Sequence, residues 1–380
     1  MKITNITGYK VKMTWSSPFA KQHAASYYRP PVMDSVIIKV HTDEGLVGYG
    51  EATPVQGVFG ENCEGIIALL KQYAKQIKGM DPCCIGEIHS IMDNLARRGN
   101  ITAKFAIDIA LYDIMAQKMG VPLYKFIGGL QRSKVKSHIS IAAGDSSEMA
   151  ADAIAVVKRG FSVIKVKVTG NGKDDLDKVL AVLEAVDGKA TLAIDVNEGW
   201  TVPDTIRIAK MLYSHKAYAD NVIIEQPIVA HDLDGLEYIT RSTPIPILAD
   251  ESAWSVNDVM KVANRRVADI IGIKVVETCG IWGALQAIGI CEAANMPYLV
   301  DEACDTKIAN TVIAHVAMAA GQGLVYAGCA NHTLYEEDVV AEGGVELHDG
   351  FAVLKDEPGL GIKSLSIGSK LSPEFEEIEF

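Results

Sequence analysis

Between Lys134 and Ala327 the chain alternates short apolar, β-branched runs with helical stretches. The runs that predict strands are Lys136–Ala142, Ser162–Val168, Thr191–Asn197, Val222–Gln226, Ile245–Asp250, Ile270–Val275, Pro297–Val300 and Leu324–Ala327. Helical periodicity falls between them, as in Ser147–Arg159, Lys173–Val186, Asp204–His215 and Ile281–Ala294. A strand buried on both faces reads as a continuous apolar run, and strands joined by helical crossovers build a parallel sheet. Eight of them predict a closed parallel α/β barrel.

Charged residues stand at the ends of five consecutive runs. VIKVK ends in Lys167, LAIDVN carries Asp195, VIIEQP Glu225, ILADE Asp250 and IGIK Lys274, with gaps of 28, 30, 25 and 24 residues. In a barrel such ends converge on one mouth, where active sites sit. Asp195, Glu225 and Asp250 would form a cluster with oxygen donors only, which suits Mg²⁺, with Mn²⁺ as the second candidate. Lys165 lies two residues before Lys167 and so on the same face of its strand. Two neighbouring ammonium groups disfavour each other's charge, which predicts a lysine able to act as a base. A divalent ion on a substrate carboxylate and a lysine base together fit removal of an α-proton to an enolate. Lys274, on the opposite flank, could return the proton or act as a general acid. Taken singly, an aspartate after a strand often caps a helix, and a lone Glu or Lys is a loop charge. Five in this order are hard to obtain that way.

The first part of the chain reads differently. Lys2–Thr14, Val36–Val40 and Leu46–Glu51 form an antiparallel meander. The long Trp15–Pro31 segment carries Phe19, His23, Tyr27, Tyr28 and Arg29, and it is expected to act as a lid, with Ala52–Glu61 as a second one. Helices are expected over Asn62–Gly79 and Gly86–Ala96, and as a long amphipathic helix over Ala103–Met119. The expected organisation is an α+β cap over residues 1–128, a barrel over 129–342, and a segment over 343–380 that returns to the cap.

Composition narrows the partners. A net charge of −12 disfavours nucleic acid, which needs a basic face. No run of 18 uncharged apolar residues is present, so no membrane span is expected. Met1–Tyr9 is polar and alternating, unlike a signal peptide. Seven scattered cysteines predict buried free thiols in a reducing cytoplasm.

FAIDIALYDIMAQKMGVPLYKFIGG together with KVK, DVN, EQP, ADE and the lysine of IGIK resembles the muconate-lactonizing subgroup of the enolase superfamily, over nearly the whole chain. The resemblance implies a (β/α)7β barrel, a modified TIM barrel with an N-terminal α+β cap. It implies Lys165 and Lys167 as a catalytic pair with Lys167 the base, and Lys274 as the opposing lysine. Asp195, Glu225 and Asp250 would hold Mg²⁺, and Asn197 and Glu251 would orient the ligands. A small carboxylate substrate, a dimer or octamer, and lid loops that select the substrate are also implied. A protein that kept the fold without chemistry is the competing class, but decayed sites tend to lose a lysine or a ligand and none is missing here.

The seventh strand ends in VDEACD, with Asp301, Glu302 and Asp305. Muconate-type members resemble one another in having one acid here, and three would repel a dianion. They would attract a cationic nitrogen, with Phe19, Tyr27, Tyr28 or Trp15 available for cation–π contact. Dipeptide epimerases of the subgroup carry an Asp-x-Asp after the eighth strand, whereas Ala327–His332 reads AGCANH. The acidic segment resembles members acting on proline-type amino acids and betaines. The expected reaction is therefore racemisation or 2-epimerisation of such a compound. The alternatives are dehydration of a hydroxy amino acid such as hydroxyproline and muconate-type cycloisomerisation, for which Arg29 and His23 could help an anion.

Overall fold

The computed structural model describes residues 1–16, 30–215, 219–367 and 375–380. The chain opens with β1 (Ile3–Thr14), β2 (Val32–Thr42) and β3 (Val47–Ala52), paired antiparallel. Five helices follow: α1 (Gln56–Phe59), α2 (Cys63–Ile77), α3 (Ile85–Leu95), α4 (Ile101–Lys118) and α5 (Leu123–Phe126). Gly48 and Gly50 of β3 let the sheet approach α4 closely, because a Cβ at either would collide with the carbonyl of Ala110 or Ala106.

The barrel then runs β4 (Val135–Ile141), α6 (Ser146–Lys158), β5 (Val163–Lys167), α7 (Gly172–Val186), β6 (Thr191–Asp195), α8 (Val202–Ser214), β7 (Val222–Glu225), α9 (Leu233–Ser242), β8 (Ile247–Ala249), α10 (Val256–Arg265), β9 (Ile270–Lys274), α11 (Ile281–Ala293), β10 (Tyr298–Asp301), α12 (Lys307–Ala319) and β11 (Leu324–Gly328). Neighbouring strands pair in parallel, and β11 pairs with β4 to close the ring. This is the expected (β/α)7β barrel. Helix starts are capped locally: Thr201 accepts from Asp204 N before α8, and Ser255 with Asp258 forms a capping box before α10.

The rest of the chain spreads over the molecule. β12 (Val340–Gly343) pairs with β15 (Ile362–Leu365), β13 (Glu346–His348) with β14 (Phe351–Val353), β14 with β4 of the barrel, and β16 (Phe375–Glu379) with β1 of the cap. No described helix is long and apolar enough to cross a membrane.

Two expectations are corrected. Helix α4 is not amphipathic: every residue from Ile101 to Ala116 is buried, including Lys104, Asp108 and Asp113. Its charges are spent on neighbouring elements. Asp108 Oδ1 accepts from Ile281 N at 2.6 Å and its Oδ2 meets His89 Nε2 at 2.7 Å, while Asp113 accepts from Tyr49 N and Leu360 N. The thiols are all free, but Cys83 and Cys84 are exposed rather than buried.

Candidate active site

Side chains two residues apart on a strand share a face, so each barrel strand points every second residue inward. Val163, Ile223, Leu248, Ile270, Leu299 and Tyr326 form a buried apolar cluster inside the ring. One step further along the same strands, at the C-terminal mouth, stand Lys165, Glu225, Asp250, Gly272, Asp301 and Gly328. Strand register sets Lys167 beside Asp195, Asp195 beside Glu225, and Lys274 beside Asp301.

Lys165 is buried among carboxylates. Its Nζ lies 2.8 Å from Glu225 Oε1, 2.8 Å from Asp301 Oδ2 and 3.8 Å from Asp195 Oδ2. Burial alone would pull its pKa down, but Asp301, Glu225 and Asp195 outweigh it and hold it well above the ordinary value. Asp301 Oδ1 meets His138 Nε2 at 2.7 Å. Burial alone would raise the Asp301 carboxyl, yet Lys165 and His138 hold it well below the usual range. Burial keeps His138 below its ordinary value despite Asp301, so its ring is neutral near pH 7.

Lys167, at the mouth end of β5, donates to Asp195 Oδ2 and, at 3.0 Å, to Asn197 Oδ1. Asp195 Oδ1 accepts from Asn197 N, and Asn197 Nδ2 donates to Glu251 Oε1 at 2.9 Å. Asn197 thus links the end of β6 to the turn after β8. Across the mouth, Lys274 Nζ lies 2.5 Å from Asp250 Oδ2 and 3.3 Å from Glu277 Oε1. Burial would lower its pKa, but Asp250, Glu277 and Glu251 raise it well above normal. Of the Lys165–Lys167 pair in which spacing predicted a depressed lysine, Lys165 is raised instead, because the acids around it outweigh its neighbour.

Carboxylate oxygens of Glu225, Asp250 and Asp301 lie within 4.8 Å of one another. Glu225 Oε2 and Asp250 Oδ1 are buried with no hydrogen-bond partner among the described residues. Burial, then Asp195 and Asp250, push Glu225 well above the carboxylate range. Orphaned, mutually repelling oxygens with no nitrogen or sulfur donor among them fit a hard divalent cation. The cluster differs from the expected set, with Asp301 where Asp195 was anticipated.

The three seventh-strand acids separate in space. Asp301 is spent on Lys165 and His138. Asp305 Oδ2 accepts from Ala303 N, and burial and Glu51 of the cap push its carboxyl up to about 8. Glu302 lines the cavity at the mouth, with Oε2 accepting from Asn331 N at 3.0 Å. The same cavity is lined by Lys165, Lys167, Asp195, Asn197, Asp250, Glu251 and Lys274, and is covered by Trp15, Val55, Val58 and Phe59. Trp15 stacks on Tyr335 with ring centroids 3.9 Å apart, which ties the end of β1 to the chain after β11. Phe19, His23, Tyr27, Tyr28 and Arg29 lie outside the described residues.

Several residues escaped the sequence reading. His138 and Ser140 of β4 occupy inward positions that strand parity would have exposed. Glu277 follows Lys274 by three residues in KVVE. Gln226, in the EQP run, braces the turn that carries Asp250: its Oε1 accepts from Asp250 N and Ser252 N, and its Nε2 donates to Ser252 Oγ.

The model for the mandelate racemase / muconate lactonizing enzyme N-terminal domain matches residues 23–128, and the one described as enolase C-terminal domain-like matches 148–365. The chain is 34% identical to an L-Ala-D/L-Glu epimerase of Clostridium acetobutylicum over 92% of its length and 97% of that protein. It is 31% identical to an N-succinyl-L-Arg/Lys racemase of Bacillus cereus over 96% and 95%. A dipeptide epimerase from Enterococcus faecalis V583, solved with Mg and the dipeptide L-Leu-L-Tyr, superposes with a TM-score of 0.89 and 32% identity, covering 96% of this chain and 100% of that one.

Proposed function

This chain belongs to the mandelate racemase / muconate lactonizing enzyme family of the enolase superfamily, and from that premise we propose that it racemises or epimerises a carboxylate substrate at its α-carbon through two opposed lysines. The observation that carries this reading is strand placement. Lys167 ends β5 and Lys274 ends β9, four strands apart whichever way the closed ring is followed, and both line one cavity. An α-carbon held between them presents one face to each side-chain nitrogen, the charged one of Lys274 and the neutral amine of Lys167 that the reaction requires. Lys274, held charged by Asp250 and Glu277, starts as the proton donor, and Lys167 takes the α-proton from the other face. Delivery to the face opposite removal inverts the configuration.

Asp195, Glu225 and Asp250 would hold Mg²⁺, or Mn²⁺ in its place. The cation's chemistry is to stabilise negative charge that spreads into the substrate carboxylate as the proton leaves. Asp195 is preferred to Asp301 as the third ligand for a physical reason. Asp301 has both oxygens engaged by the wholly buried Lys165 and His138, whereas the partner of Asp195, Lys167, is 14% exposed and can turn to the substrate. Asn197 and Glu251 keep Asp195 in place.

The substrate class follows from charge. Among the described residues, Asp195, Asp250, Glu251, Glu277 and Glu302 line the cavity beside three lysines, Lys165, Lys167 and Lys274, and Glu225 and Asp301 are paired with Lys165. Such a cavity resists a dianion and favours an amino-acid derivative whose nitrogen is cationic, of proline or betaine type. The test is proton NMR in D₂O with Mg²⁺ on a panel of such compounds. Loss of the α-proton signal with an unchanged skeleton supports racemisation or epimerisation. New vinyl signals would point to dehydration instead, and no exchange with any carboxylate would sink the reading.

A further inference from the structure

We propose, resting on that reading, that Glu302 with Asn331 and Ser140 holds the substrate nitrogen, and that this nitrogen is an ammonium with N–H bonds to donate. Glu302 is 4% exposed, and its Oε1 has no hydrogen-bond partner among the described residues. Ser140 Oγ and Asn331 Oδ1 are likewise buried and unpartnered. All three residues line the cavity that holds Lys167 and Lys274. They come from three neighbouring parts of the ring: the end of β4, the turn after β10 and the turn after β11.

Buried oxygens without partners cost free energy unless a ligand satisfies them. An N–H ammonium offers two or three donors and matches such a set. A quaternary nitrogen offers none and needs ring faces instead. Among the described residues the cavity has two aromatic side chains, Trp15 and Phe59, and Trp15 already stacks on Tyr335. An N-acylated nitrogen is neutral and gives the Glu302 carboxyl no cationic partner. The room for Glu302 is built in, because a Cβ on Gly328 of β11 would collide with Asp301 Oδ1 and Glu302 Cγ. Asn331 also positions the carboxylate, donating its backbone N–H to Oε2. The geometry therefore selects free or secondary amines, a prolyl ring nitrogen or an amino terminus, against betaines and N-acyl compounds.

The experiment follows α-proton exchange by the full-length enzyme with Mg²⁺ in D₂O across three series: prolines, amino acids and dipeptides with a free ammonium; their fully N-methylated betaines; and their N-acetyl and N-succinyl derivatives. The expected result is exchange with the ammonium series, and kcat/KM at least about tenfold lower for the other two. Glu302→Gln raises KM for the ammonium substrate about tenfold to a hundredfold, with kcat little changed. Betaines or N-acyl compounds exchanging as fast as ammonium substrates would overturn the inference and leave the two-lysine reading standing. An unchanged KM in a folded Glu302→Gln would do the same, and if that variant does not fold the wild-type panel decides. No exchange in any series would overturn both.

Discussion

Lys165 and Asp301 meet across the barrel, Nζ to Oδ2 at 2.8 Å, from positions 136 residues apart in the chain. His138 holds the other oxygen of the same carboxylate. Asp301→Asn leaves a buried lysine short of its partner, a change that costs about 3–5 kcal/mol. Urea denaturation without added metal measures this directly, and a loss below about 1 kcal/mol would mean that the contact does not hold the barrel core together.

Metal binding separates the two aspartates. Mg²⁺ at about a hundredfold above its Kd stabilises the wild type by about 2.7 kcal/mol. Glu225→Gln and Asp195→Asn abolish this gain, and Asp301→Asn retains it despite its lower starting stability. The readout is the shift in thermal midpoint with and without Mg²⁺. Retention in Asp195→Asn together with loss in Asp301→Asn would move the third ligand to the seventh strand.

Stability falls on the alkaline side because of Asp305. Burial and Glu51 raise its carboxyl to about 8, so the folded protein keeps a proton that the unfolded chain has already lost. This contribution is complete below the ordinary aspartate range and disappears as pH rises to about 8. Asp305→Asn removes the titrating group and flattens the decline in urea midpoint between about pH 5 and about pH 8. An unchanged slope would assign the decline to other acids.

Asp108 joins the cap to the barrel. It accepts from Ile281 N at the start of α11 and meets His89. Asp108→Ala leaves buried groups on both sides unsatisfied and lowers stability by about 2–4 kcal/mol, while Asp108→Asn loses less. Differential scanning calorimetry compares the two.

The strands and the mouth charges were legible because a strand buried on both faces reads as an apolar run, against which the charges at its end, Lys167, Asp195, Glu225, Asp250 and Lys274, stand out. The same logic failed on α4. Asp108 and Asp113 look like a solvent face when helical spacing is read alone, but they bond to elements far away in the chain. Asp301, Glu302 and Asp305 sit within five residues, and only the backbone path after β10 turns one toward Lys165, one into the cavity and one toward the cap. His138 and Ser140 were missed because nothing marks β4 as chemical until its inward parity is matched to its neighbours'.

The most direct test of the two-lysine reading compares both configurations of one exchanging substrate. Wild type, Lys167→Ala and Lys274→Ala are followed in D₂O with Mg²⁺ by loss of the α-proton. Each variant should lose exchange from one configuration and keep it from the other, with the lost configuration differing between the two. If both lose exchange from the same configuration and keep it from the other, the lysines do not act on opposite faces and the account is wrong.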